Sequence, residues 1–223
     1  TGQLEKELFF LREIVSSGGR AIDIGANRGL YSYALSQYHT VVEAFEPQPY
    51  CSQVITAYSS FSKNKINVHN CGLSNIEGEL SLYIPEIRGR LRNSLATGLA
   101  SFKEEKPPGN FSIIKVPVCK LDSYNFQDVS VIKVDVEGHE KEVIEGAKQT
   151  ILRNKPILLI EIEQRHLKKT HTVHSIIQYI ETLGYRGYFL DNKGLKDVNC
   201  LGFEASAENC RNFIFKPMRQ SKP

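Results

Sequence analysis

Short apolar runs alternate with amphipathic helical stripes along most of this chain, and that rhythm admits few folds. Strands separated by helices lie parallel, because each crossover helix returns the chain to the same end of the sheet. The predicted strands are Arg20 to Gly25, Thr40 to Glu46, Ile66 to His69, Val129 to Val136, Pro156 to Glu163, Tyr185 to Leu190 and Asn212 to Lys216. Helices are predicted over Leu30 to Tyr38, Tyr50 to Tyr58 and His139 to Arg153; in the last, Val143, Ile144, Ala147 and Ile151 share one face. A further stripe of Val173, Ile176, Ile177, Ile180 and Leu183 ends at Gly184, a natural helix stop. The expectation is a single α/β domain over 1–223 with a Rossmann-like, mostly parallel seven-stranded sheet.

The rhythm breaks at about 78–119. Alternation in Leu80, Leu82 and Ile84, and again in Ile114, Val116 and Val118, brackets a stretch rich in charge, Gly and Pro. This predicts an inserted β-hairpin carrying a long loop, the kind of loop that is usually functional or disordered. Arg88, Arg90 and Arg92, with Asn93, fall in it. Guanidinium forks suit phosphate or carboxylate, so these four are expected to bind an anionic substrate; a solvated loop is the alternative.

A net charge of +3 over 223 residues argues against a nucleic-acid binder. No apolar run reaches the length of a membrane span. The five cysteines are scattered, with no C-x-x-C pair and no histidine at zinc-finger spacing. They read as reduced structural thiols, so a cytoplasmic location is expected. The sole methionine is Met218 and the first residue is Thr1, so the natural start is expected to be missing, either by trimming or because the domain is cut from a longer chain.

The strongest local signal is Asp23-Ile24-Gly25-Ala26-Asn27-Arg28-Gly29-Leu30-Tyr31-Ser32, a strand running through glycines into a helix. Gly25 permits a tight turn and close approach of a ligand, and the helix start beyond it offers unpaired N–H groups to an anion. A dinucleotide fingerprint would need glycines where Asn27 and Leu30 stand. Glu46, about twenty residues on at the end of the second strand, is placed to bind ribose hydroxyls, which suits either a nicotinamide dinucleotide or S-adenosylmethionine. Asp23 favours the second, since a fixed negative charge suits a cationic sulfonium amino acid better than a pyrophosphate.

A second cluster, Lys133-Val134-Asp135-Val136-Glu137-Gly138-His139-Glu140, closes the fourth parallel strand. Ligands bind beyond the carboxyl ends of such strands, so Asp135, Glu137 and His139 are expected to face the same crevice as Gly25 and Glu46. With Asn70-Cys71-Gly72-Leu73-Ser74, Leu121-Asp122, and Pro156 with Glu161, these motifs resemble the FkbM family of methyltransferases over about Ala21 to Glu163. The resemblance implies a class I methyltransferase fold that uses S-adenosylmethionine, mainly on hydroxyls of sugars, glycans or polyketides. It implies cofactor contacts at Asp23, Gly25, Asn27, Gly29 and Glu46, with adenine near Gly72 and Leu73. The neighbouring Ala26, Tyr31 and Ser32, and Asp135, are counted with them.

An alcohol needs help losing its proton, and histidine titrates near neutrality. His139 is therefore the expected base, with Asp135 or Glu137 orienting it or the substrate. Each has a duller reading: His139 as a helix cap, Glu137 as a helix-start carboxylate, Asp135 as a turn brace. Asp135, His139, Glu161 and His166 could supply ligands for a divalent metal, but match no tight metal motif, so a metal is the less favoured alternative. The alternatives are an NAD-linked oxidoreductase or epimerase, and a non-catalytic cofactor-binding scaffold.

Overall fold

A computed structural model describes residues 6–15, 17–86, 96–102, 110–191, 194–200 and 210–218. The chain opens with α1 (Lys6–Ile14), then β1 (Arg20–Ile24), α2 (Leu30–Ser36), β2 (Val41–Phe45), α3 (Pro49–Ser59) and β3 (Lys65–His69). An excursion follows through β4 (Gly72–Leu73), β5 (Gly78–Pro85), β6 (Ser101–Phe102) and β7 (Phe111–Cys119). The main rhythm resumes with β8 (Val129–Val134), α4 (Glu140–Gly146), α5 (Lys148–Asn154), β9 (Ile157–Glu161) and α6 (Val173–Thr182). It closes with β10 (Tyr185–Asp191), β11 (Gly194–Asp197) and β12 (Asn212–Pro217).

The main sheet runs β11-β10-β12-β9-β8-β1-β2-β3. From β9 to β3 every neighbouring pair is parallel, whereas β12, β10 and β11 add on antiparallel. All seven predicted strands are present. The sheet nevertheless has eight strands among the described residues rather than seven, because β11 pairs with the edge strand β10. The predicted hairpin is β5 against β7, from Gly78↔Val118 to Pro85↔Phe111. It too is larger than expected: β4 joins β7 in parallel and β6 joins β5, giving a second, four-stranded sheet. Arg88, Arg90, Arg92 and Asn93 lie outside the described residues.

Alternation along the strands builds a core on each face of the main sheet. Ile22, Ile132, Leu158, Phe213 and Phe215 pack with Val143, Ile144, Ile151, Ile176 and Ile180 of the later helices. Ala21, Val131, Leu159 and Ile214 pack with Leu11, Leu35 and Ile55 of the earlier ones. The predicted helix from His139 to Arg153 is two helices meeting at Ala147, whose φ of −107° departs from helical geometry. Gly146 is pressed on Ser74: a Cβ there would fall 1.9 Å from the Ser74 carbonyl oxygen. The second helix has its own brace, as the Asp122 carboxylate accepts the Gln149 and Thr150 N–H groups at 2.9 and 2.8 Å.

Candidate functional site

After β1 the chain steps to β2 and β3 on one side, and only later to β8 on the other. Such a reversal opens a crevice at the carboxyl ends of the strands. Register fixes what meets there. Ile24 lies beside both Phe45 and Val134, so the residues just past them, Gly25, Glu46 and Asp135, converge. The Asp135 N–H reaches the Ile24 carbonyl at 3.0 Å, and the Gly25 N–H reaches that of Phe45 at 3.0 Å.

A cleft opens here, walled by Gly25, Asn27, Glu46, Pro47, Gln48, Gly72, Leu73, Asp135 and Glu137, with Phe45, Leu82 and Phe102 supplying apolar surface. Gly25 has φ +76°, and Asn27, at +49°, is also left-handed, which turns its N–H onto Glu46. The Glu46 carboxylate is buried. Its Oε2 accepts the Asn27 N–H at 2.7 Å and its Oε1 the Gln48 N–H at 2.8 Å. Burial pushes the Glu46 carboxyl up to about 7, against the pull of those two N–H groups.

Of the expected cofactor residues, Gly25, Asn27, Glu46, Gly72, Leu73 and Asp135 line the cleft, and Asp23, Ala26, Gly29, Tyr31 and Ser32 do not. The reason for Asp23 is register. It pairs with Lys133 across β1 and β8, on the face that packs against α2. Its Oδ2 accepts the Ser32 hydroxyl at 2.5 Å, and burial raises its carboxyl to about 6 against that bond and the Lys133 charge. Lys133 is itself buried, 4.8 Å over the Tyr31 ring and 3.4 Å from Asp135 Oδ2. Gly29 takes the Tyr58 hydroxyl on its carbonyl at 2.7 Å. These residues support the turn rather than forming its surface.

The three expected catalytic residues separate. Asp135 and Glu137 lie in the cleft wall, whereas His139 is 5% exposed and lies in the wall of a neighbouring cleft. Its Nε2 is 3.0 Å from Ser74 Oγ, its Nδ1 is 3.6 Å from Glu142, and its ring meets Phe102 edge-on. Phe102 lines both clefts and stands between them. Glu137 is left-handed at φ +54° and is followed by Gly138 at +99°, where a Cβ would come 2.0 Å from the His166 carbonyl oxygen. That tight turn brings His166 Nδ1 into contact with the Glu137 carboxylate. His166 Nε2 lies 3.9 Å from Glu163, which also holds Arg211 at 3.0 Å. Non-glycine residues held at positive φ beside a cleft are a mark of functional sites.

Among the described residues no three His, Cys, Asp or Glu side chains group as metal ligands. No helix there is long and apolar enough to cross a membrane. No pattern in the sequence points to Phe102, to the contacts of Lys133 and Ser74, or to the partnership of His166 with Glu137. All four depend on contacts between distant segments.

Residues 23–186 match the model of the methyltransferase FkbM domain, which is most of the chain. The chain belongs to the FkbM methyltransferase family. This FkbM domain is 24% identical to Methyltransferase 1 of Beauveria bassiana (strain ARSEF 2860), over 56% of the chain. The match spans 57% of that protein's length, so the domain corresponds to little more than half of its relative. Among solved structures it resembles the methyltransferase FkbM of Methylobacillus flagellatus KT, with TM-score 0.58 and 17% identity, covering 94% of this chain and 47% of that one. It also resembles SMU.1697c of Streptococcus mutans, solved in complex with SAH, with TM-score 0.53 and 11% identity over 96% and 99% of the two chains. At these identities the structural likeness establishes the fold of the FkbM domain.

Proposed function

We propose that this FkbM domain holds S-adenosylmethionine in the cleft at the ends of β1, β2 and β8, and directs its methyl group to a hydroxyl oxygen of a sugar, glycan or other natural product. The observation that carries the reading is Glu46. A buried carboxylate anchored by two backbone N–H groups keeps lone pairs for two neighbouring hydroxyl donors, as a ribose offers. Gly72, Leu73 and Phe102 give an apolar wall suited to a flat base. Gly25 lets the backbone come close to a ligand. Asp135 supplies a part-exposed carboxylate for a cationic amino group. The SAH complex of the Streptococcus mutans relative supports the same ligand class.

When bound, the sulfonium supplies an already activated methyl group. The protein's task is then to place an acceptor oxygen in line and receive its proton. Glu137 is the group best placed for this, being in the cleft wall and fixed by His166. The role expected for His139 passes to it, since His139 lies across Phe102 and engages Ser74. His139 then braces the Gly72–Leu73 wall through Ser74.

Mass spectrometry after incubation with isotopically labelled methyl donor and a panel of sugars, glycans and hydroxylated natural products tests the reading. Label on an acceptor oxygen, with release of S-adenosylhomocysteine, is expected. Label confined to nitrogen acceptors would overturn the oxygen assignment.

A further inference from the structure

We propose that Cys71 and Cys119 form an oxidation site at the wall of the cofactor cleft, closing to a disulfide with a peroxide and thereby weakening cofactor binding. The two residues are 48 positions apart in sequence, yet their Sγ atoms are 3.7 Å apart. A disulfide of roughly 2.0 Å requires an approach of about 1.7 Å. Both thiols are free and half-buried. The Tyr124 hydroxyl lies 3.6 Å from Cys71 Sγ and 3.7 Å from Cys119 Sγ.

The pair is asymmetric in a way that suits the chemistry. The Cys71 thiol hydrogen bond, with help from Tyr124, holds Cys119 down at about 6 despite its burial. The same pairing drives Cys71 upward. Cys119 is thus the thiol of the pair that ionises more readily, and the thiolate is the reactive form. It attacks one oxygen of hydrogen peroxide, the O–O bond breaks, and hydroxide leaves a sulfenic acid on Cys119. Cys71 sulfur then attacks that sulfur, and the S–O bond breaks as the S–S bond forms. That departing hydroxide takes the Cys71 proton as water, and the hydroxide released from peroxide takes up the proton that Cys119 lost on ionising. Two thiols are oxidised and one peroxide is reduced to two waters.

Position links the bond to ligand binding. Cys71 precedes Gly72 and Leu73, which wall the cofactor cleft, and Cys119 pairs with Leu73 across β4 and β7. Gly72 has no slack: a Cβ there would lie 2.7 Å from Phe102 Cζ. Ser74 is tied to the same ladder, its N–H reaching the Cys119 carbonyl at 2.9 Å. Tyr124 meets Phe45, another wall residue, edge-on at 5.1 Å. Drawing the two sulfurs together therefore moves a wall that is packed against Phe102 and tied to β7.

The effect on ligand rests on the cofactor reading above, whereas the bond itself does not. The full chain is treated with hydrogen peroxide, digested and mapped by mass spectrometry, and its binding of S-adenosylhomocysteine is followed by calorimetry. A Cys71–Cys119 cross-linked peptide is expected, with affinity for S-adenosylhomocysteine falling about tenfold and returning with dithiothreitol. Cys119→Ser should show no cross-link and keep its affinity under peroxide, whereas Cys71→Ser should stop at a Cys119 sulfenic acid, trapped by dimedone and without the cross-link. In the wild-type chain, oxidation of either cysteine without the cross-link, or a cross-link that leaves affinity unchanged, overturns the proposal. Should the reduced protein itself ignore S-adenosylhomocysteine, the fault lies in the cofactor reading, and the peptide map still decides the oxidation site.

Discussion

Gly25 lies so close to Asp135 that a Cβ on residue 25 would sit 1.8 Å from the Asp135 carbonyl oxygen. The turn after β1 and the turn after β8 are in this sense one unit, each shaped against the other. Gly25→Ala adds a clash with backbone and a side chain at φ +76°. The expected cost is about 3 kcal/mol of stability, combining overpacking with backbone strain. Urea denaturation checks it; a loss under about 0.5 kcal/mol would mean that the two turns are not so tightly joined.

Asp23 and Ser32 form a second such pair, both buried. Ser32→Ala strands a buried carboxylate without its hydroxyl donor. A destabilisation of about 1–3 kcal/mol is expected, with loss of cofactor affinity smaller than that caused by changes at Glu46. Thermal unfolding and calorimetry on the same variant separate the two effects.

Three buried carboxyls shape the response to pH. Burial lifts Asp23 to about 6, and Glu46 and Glu140 to about 7. Each binds its proton more tightly folded than unfolded, so each lends stability that is complete below the unfolded value and is lost as pH rises through the folded one. Glu46→Gln removes one of these contributions. The variant is therefore expected to lose less stability than the wild type between pH 5 and pH 8, by on the order of 1 kcal/mol or more. Parallel unfolding curves at the two pH values would contradict the assignment.

Glu137→Gln and His139→Ala divide the catalytic roles. Glu137→Gln is expected to lower kcat by about 100-fold or more while leaving cofactor affinity near normal. His139→Ala is expected to act mainly on cofactor affinity and stability, through Ser74 and the Gly72–Leu73 wall. Steady-state kinetics with any acceptor found in the labelling experiment tests this, and the reverse pattern would return the base to His139.

Local patterns in the sequence carried the framework and stopped where distant segments meet. The seven main strands follow from apolar runs of the right length, and the Gly25 turn from a strand meeting glycines before a helix. Glu46 and Asp135 were legible because strand ends in a parallel sheet must share an edge. Asp23 is different: its charge suggested a ligand, but its partner across the ladder is Lys133, and its face of β1 meets α2. The break at Ala147 comes with a carbonyl on Ser74, some seventy residues away, crowding Gly146. No helical periodicity reports that. Phe102 and the Cys71–Cys119 contact arise from the inserted sheet folding back on the cleft, which turns on tertiary packing rather than on composition or spacing.

Glu46 and the turn at Asn27 should together grip an adenosyl amino acid, and calorimetry with S-adenosylmethionine and S-adenosylhomocysteine measures that grip. Saturable binding of both by the wild-type domain is expected, with a loss of about 10- to 100-fold on Glu46→Gln, whose uncharged amide puts a donor where one of the two accepting oxygens stood. No heat with either compound alongside clear binding of a nicotinamide dinucleotide, or equal affinity in the variant, would contradict it.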